Sequence, residues 1–200
     1  VCGLVKYLME NDPMKLLPLM LLSVFSGLVL VALFSSNVMA SSFCADHTQG
    51  QLKFIPTFEG LAVDGRFKVF SVQLSRDENQ QPEKLDVQID MTSSTMYSSD
   101  IDQEIHGSVW FDSVSYPAAR FSAEEVIVND DEQFVFTGQL SLKGIQRKTS
   151  VPLTIDNWEQ GTLLLEGEIT LNRIDFGIGM GEWMSDDQIG HNVGIAFNIL

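Results

Sequence analysis

The chain has 200 residues, with 12 basic and 27 acidic side chains, a formal net charge of -15, and 44% hydrophobic residues. That apolar share argues against disorder. The acidic balance argues against a nucleic-acid partner and against electrostatic adhesion to an anionic membrane, since both need clustered Lys and Arg.

The N-terminus differs from the rest. Residues Leu16 to Phe34 are almost wholly apolar, with Lys15 before them and Ser35-Ser36-Asn37-Val38-Met39-Ala40 after. A basic residue, an apolar run and small residues ahead of a cut site describe a secretory signal peptide, here with cleavage expected after Ala40. Met14 reads as the natural start, which makes residues 1–13 an over-extended reading frame. The alternative is a retained transmembrane anchor, because the run is long for a signal. Pro18 and Gly27 inside it favour removal. The expected organisation is therefore an extension and signal peptide over 1–40 and one exported domain over 41–200. Lys6, Lys15, Glu10 and Asp12 cancel, so the mature chain keeps the full charge of -15, and its single cysteine, Cys44, allows no intrachain disulfide.

From Gln51 onward the pattern has period two, which marks strands with one buried face. Leu52 and Phe54 share a parity, followed by Phe70, Val72 and Leu74 after Phe67. Leu85, Val87, Ile89 and Met91 alternate with Asp86, Gln88 and Asp90. Ser98 to His106 then breaks the rhythm: it is polar, with Ile101 and Ile105 four apart, and predicts a short helix capped by Ser98 or Ser99 over one end of the structure. Strand periodicity resumes with Phe134, Phe136, Leu140 and Leu142, then Val151, Leu153 and Ile155. Leu163, Leu165, Gly167, Ile169 and Leu171 follow, and Val193, Ile195, Phe197 and Ile199 close the chain. The connectors Arg76-Asp77-Glu78-Asn79, Asn129-Asp130-Asp131, Lys143-Gly144 and Asn157-Trp158-Glu159-Gln160-Gly161 carry turn chemistry. Short connectors favour antiparallel meanders. The prediction is an all-β domain of about eight strands with one short helix. With no long amphipathic helix to cover an apolar sheet face, the sheet must close into a barrel or pack as a two-sheet sandwich.

Four stretches then carry a family likeness. They are Gly65-Arg66-Phe67, Tyr116-Pro117-Ala118-Ala119-Arg120-Phe121, Gly138-Gln139-Leu140-Ser141-Leu142-Lys143-Gly144-Ile145, and Leu171-Asn172-Arg173-Ile174-Asp175-Phe176-Gly177-Ile178-Gly179. In that order and spacing, over about residues 50–200, the chain resembles the YceI-like family of bacterial polyisoprenoid- or lipid-binding proteins. The resemblance implies a single antiparallel lipocalin-like β-barrel with a long amphiphile in its lumen, and a periplasmic location. Asp102 and Ile105 match the family's charged-then-apolar pair on its short helix. Trp110 and Phe111 ahead of the Tyr116-Pro117 turn, and Trp183 near the end, depart from the pattern.

Phe54, Phe58, Phe67, Trp110, Phe121, Phe136, Phe176 and Trp183 fall on apolar parities or at strand ends. Pockets are lined mainly by such side chains, although an inward aromatic in any β protein serves equally well as plain core. With the resemblance, the set becomes a candidate lipid-contacting lumen. Asn172, Arg173 and Asp175, beside the bend at Gly177-Ile178-Gly179-Met180-Gly181, are candidates to meet a ligand headgroup; an ion pair within the turn is the alternative. The bend lacks the spacing of a nucleotide cradle.

His47, His106 and His191 share no metal-ligand spacing, no glycine-flanked serine elbow is present, and no catalytic residue or metal is assigned. The expected activity is that of a carrier for an isoprenoid quinone, a polyprenyl compound, or a fatty amide or acid, with no cofactor besides that ligand. Two other readings remain at this level: an acidic module docking a membrane redox partner, and a lipid isomerase or cyclase on the same barrel.

Overall fold

A computed structural model describes residues 42–156 and 163–200, all within one compact unit. The expected signal peptide and the turn at 157–161 lie outside the described residues. The strands run β1 (Ser42–Asp46), β2 (Gly50–Ile55), β3 (Thr57–Phe58), β4 (Leu61–Ala62), β5 (Gly65–Phe67), β6 (Phe70–Arg76), β7 (Pro82–Asp90) and β8 (Ser94–Thr95). After helix α1 (Ser99–His106) come β9 (Ala118–Val128), β10 (Phe134–Leu142), β11 (Ile145–Asp156), β12 (Leu164–Asn172) and β13 (Asn192–Ile199). Eleven of them form one sheet in the order β1-β6-β7-β9-β10-β11-β12-β13-β2-β5-β8, and β3 pairs with β4 as a separate hairpin.

Written linearly, the order hides how the sheet closes. β5 runs into β6 through Lys68 and Val69, and β7 reaches β8 through a single 3-10 turn at Met91–Ser93. Across this corner the ladder continues: Phe67 is opposite Ser94, the Lys68 N–H donates to the Ser93 carbonyl at 3.3 Å, the Asp90 N–H donates to the Val69 carbonyl at 3.0 Å, and Phe70 is opposite Ile89. β1 and β2 bend the same way beside β6 and β5, with the His47 N–H donating to the Phe70 carbonyl at the corner. Three bent strands and the five single strands β9 to β13 therefore occupy eight positions around a closed antiparallel barrel. Thirteen strand segments are present, more than the expected eight: corner residues leave the ladder and split three long strands in two, which gives eleven, and the separate hairpin β3–β4 adds two.

The interior follows the predicted parities where Phe70, Val72 and Leu74 are buried on β6 and Val151 and Leu153 on β11; β9 adds Ala119, Phe121 and Ala123. β10 and β11 join through Lys143 (φ 49°) and Gly144 (φ 74°), a two-residue turn with both centres left-handed that matches the twist of the flanking strands. Toward the end of the barrel near turns 77–81 and 129–133, Leu74 and Phe136 are fully buried. At the opposite end α1, the hairpin β3–β4 and residues 173–191 surround an opening.

Helix α1 begins where the sequence indicates, with Ser98 as its N-cap, but neither expected serine supplies the cap: the Ser98 side chain makes no capping bond. Asp102 ties the helix down instead. Its carboxylate accepts from the Thr95 hydroxyl and from the Met96 N–H, both at 2.6 Å. The bond from Thr95, aided by Met96, holds the Asp102 carboxyl below its ordinary value against a smaller opposing effect of desolvation. At the other end of α1, His106 Nε2 lies 3.0 Å from both the carbonyl and the hydroxyl of Ser94.

Candidate functional site

Two cavities occupy the barrel interior and its open end. The inner one, about 120 Å³, is bounded by strand side chains that include Phe67, Leu85, Phe121, Val151, Leu165 and Phe197. Its lining is apolar except for Thr149. The outer one, about 550 Å³, lies beneath α1 and the loops around it. Phe67, Met91, Leu142, Leu171 and Ile195 line both, so the two adjoin through a shared neck.

Local sequence explains the outer wall. Phe54, Phe67 and Phe111 cluster with ring centroids 5.0 to 6.1 Å apart. Gly65 makes room for this, since a Cβ there would collide with the Phe54 ring. Ile105 is buried on the underside of α1, and Ile101, 46% exposed, stands at the opening with Phe58, which is 49% exposed on β3. The Trp110 ring lies 5.9 Å from that of Trp183, and its indole N–H donates to Glu104 at 3.2 Å.

Six of the eight aromatics singled out from sequence, namely Phe54, Phe58, Phe67, Trp110, Phe176 and Trp183, line the outer cavity, and Phe121 lines the inner one with Phe67. Phe136 lines neither. Opposite Val126 on β9 and Val151 on β11, it is 0% exposed, although Val151 itself lines the inner cavity. Parity places a side chain inside a barrel, but not at a particular height along its axis. Phe111, Met96 and Ile178 are lining residues that periodicity missed, since they sit in irregular segments. Met91 continues the alternation of β7 and was legible from it.

The headgroup candidates part company. Asn172 caps the 3-10 turn Arg173–Phe176 by accepting from the Ile174 N–H at 3.0 Å, and Asp175 is exposed; neither lines a cavity. Arg173 lines the outer cavity and is only 3% exposed, yet its guanidinium is committed to the main chain. Nε donates to Gly190 O, Nη1 to Ile178 O and Gly179 O, and Nη2 to Trp183 O, Ser185 O and Ile189 O, at 2.5 to 3.3 Å. An arginine has five N–H donors, and these contacts occupy all of them. The Trp110 ring lies over the guanidinium at 5.9 Å. Burial pulls the Arg173 value down, with Asp186 pulling back. Gly179, at φ +65°, admits this arrangement: a side chain there would strike both the Arg173 guanidinium and Trp110. Arg173 thus holds the loop at 178–190 in shape around the opening. Lys143 does the same nearby, donating to Val109 O at 3.1 Å and Gly177 O at 2.8 Å, its value lowered by burial and raised by Asp112.

A lining of this kind holds an apolar body by burial and shape, with polar groups confined to the entrance. Among the described residues, neither cavity brings an ionisable side chain to the middle of the barrel; Asp100, Glu104 and Arg173 are the ionisable lining residues, all at the open end.

Known proteins fit this geometry. The chain is similar to a UPF0312 protein of Pseudomonas putida, 27% identical over 80% of this chain and 88% of that protein. A UPF0312 protein of Photorhabdus laumondii is 31% identical over 42% of this chain and 43% of its own length. Among solved structures, Burkholderia cenocepacia BcnA superposes with a TM-score of 0.71 at 24% identity, covering 78% of this chain and 98% of its own. A polyisoprenoid binding domain from Saccharophagus degradans gives 0.62 at 14% identity, covering 80% of this chain and 97% of its own. The YceI-like domain model matches residues 43–200, nearly all of the barrel, and the chain belongs to the YceI-like family.

Proposed function

We propose that this protein is an exported carrier that holds a long apolar ligand, of the isoprenoid or fatty class, in the barrel lumen. The observation that carries the reading is the pair of adjoining apolar cavities, about 550 and 120 Å³, joined at a neck of five shared residues. The larger lies within the range of roughly 300–1,000 Å³ usual for small-molecule sites. The inner void alone costs about 3 kcal/mol at ~24 cal/mol per Å³ if left empty, a sizeable part of the ~5–15 kcal/mol that stabilises a domain. Water does not relieve that cost, since a buried water needs two to four polar partners and Thr149 is the one polar lining residue of the inner cavity. An apolar chain threaded through the neck does. Burying ~400 Å² of such a chain contributes ~10 kcal/mol before association costs. The polyisoprenoid-binding relative supports the ligand class, and the apolar run Leu16 to Phe34 with its small-residue cleavage context supports export.

Mass spectrometry of an organic extract of the purified protein tests the reading, with Leu171→Trp as its partner. The larger ring fills the neck, so the variant is expected to fold cooperatively with a midpoint ~2–12 °C below wild type, given an overpacking cost of ~1–3 kcal/mol, and to carry little extractable lipid. An extract empty of lipid from wild type, combined with no uptake of a neutral apolar dye, refutes the carrier.

A further inference from the structure

We infer that the polar end of the ligand is a hydrogen-bond-donating group without negative charge: an alcohol, an amide or an amine, and not a carboxylate or a phosphate. This inference rests on the lumen reading above and concerns the entrance of the same cavity. Three ionisable side chains line the outer cavity, namely Asp100, Glu104 and Arg173.

The one cation among them has nothing left to offer. Every N–H of Arg173 points at a main-chain carbonyl of its own loop, so an anionic headgroup would have to break that clamp to gain a partner. Lys143 does not line the cavity and is engaged with Val109 O and Gly177 O, and Lys68, which acts on Asp102 of α1, does not line it. Arg66 stacks over Tyr97 at 5.7 Å and does not line the cavity either.

The two acids present the opposite case. Asp100 and Glu104 are four residues apart on α1 and so share one face of the helix. Both are exposed while lining the cavity, which places them at its mouth. Carboxylates accept hydrogen bonds and donate none. Each oxygen has capacity beyond the contacts it makes within the chain, which are the Trp110 indole N–H on Glu104 and the Ser99 hydroxyl on Asp100. A tail lying in the apolar cavity therefore brings its headgroup beside two acceptors of negative charge. A donor is welcomed there and an anion is repelled, with a strength that salt reduces because the acids are exposed.

Competition among ligands with one tail and different heads decides the matter. Protein freed of lipid and loaded with the neutral dye Nile red is titrated with dodecanol, dodecylamine, dodecanoate and dodecyl phosphate at low salt. The expected result is that dodecanol and dodecylamine displace the dye, while dodecanoate and dodecyl phosphate need at least about tenfold higher concentration. In D100N/E104Q the gap between dodecylamine and dodecanoate is expected to narrow severalfold, since Asn and Gln keep an acceptor for Ser99 and Trp110 but lose the charge. Raising salt on the wild type narrows the same gap, so the decision stands even if the double variant folds poorly. Dodecanoate binding as tightly as dodecanol, or a gap unmoved by both the substitutions and salt, overturns the inference and leaves the carrier intact. Displacement by none of the four removes the lumen reading and this inference with it.

Discussion

Replacing Arg173 separates a loop clamp from a headgroup receptor. In Arg173→Met, six carbonyl contacts vanish together. A bond from a charged donor contributes ~1.5–3 kcal/mol taken singly, and six such values, ~9–18 kcal/mol, would equal or exceed the ~5–15 kcal/mol that stabilises a whole domain, so they do not simply add. The structure says where the sum falls short. Residues 184–188 are exposed, so Ser185 regains water once released, whereas Ile178 and Gly179 are buried and leave acceptors unpaired. The expected loss is ~3–5 kcal/mol. At ~2–4 °C per kcal/mol for a domain of this size, the thermal midpoint should fall by roughly 6–20 °C. Arg173→Lys keeps the charge but has three donors on one nitrogen, which cannot span carbonyls lying on several sides, and is expected to lose about half as much. Circular dichroism on heating, with limited proteolysis between residues 180 and 188, reads both effects. If Arg173→Met melts within about 2 °C of wild type and resists protease while lipid retention collapses, then Arg173 is a headgroup residue after all and the clamp reading is refuted.

Two further outcomes are expected. Asp102→Asn should loosen α1, seen as faster amide exchange over residues 99–106. Because the folded-state value of Asp102 is depressed, its contribution is fully present above the unfolded value of ~3.9 and is lost as pH falls through the lower folded value; the variant should lack that acid-dependent loss, and an unchanged acid profile would show that α1 is held by other contacts. N-terminal sequencing of protein from the periplasmic fraction should begin at Ser41, whereas recovery of residues 16–34 intact in the membrane fraction would favour a retained anchor.

The division between what the sequence decides and what only the tertiary structure decides follows from the range of the interactions involved. Strand faces are local facts: Leu85, Val87 and Ile89 must share a side because the backbone alternates, and burial of one side follows wherever a sheet closes. The all-β class and the buried parity of Phe54, Phe67, Phe121 and Phe136 were legible for that reason, whereas the choice of a barrel over a sandwich came from the family resemblance. The turn at Lys143-Gly144 and the helix over 98–106 were legible because their chemistry is set within a few residues. Height along the barrel axis was not. Phe121 and Phe136 have the same local signature, yet one borders a cavity and the other is fully buried away from it, because register against β7 and β11 decides which neighbours each meets. The bent corners that turn about eight predicted strands into eleven segments of one sheet depend on the Ser93 and Val69 carbonyls, whose partners come from a different strand. Arg173 is the plainest case. From sequence it is a cation beside a glycine-rich bend at the expected mouth, and a headgroup role follows naturally; its donors meet carbonyls at 178, 179, 183, 185, 189 and 190 because the chain curls back on itself there. Main-chain carbonyls are identical in every residue, so no residue type advertises that they will converge, and only the folded path of the loop brings them around one guanidinium.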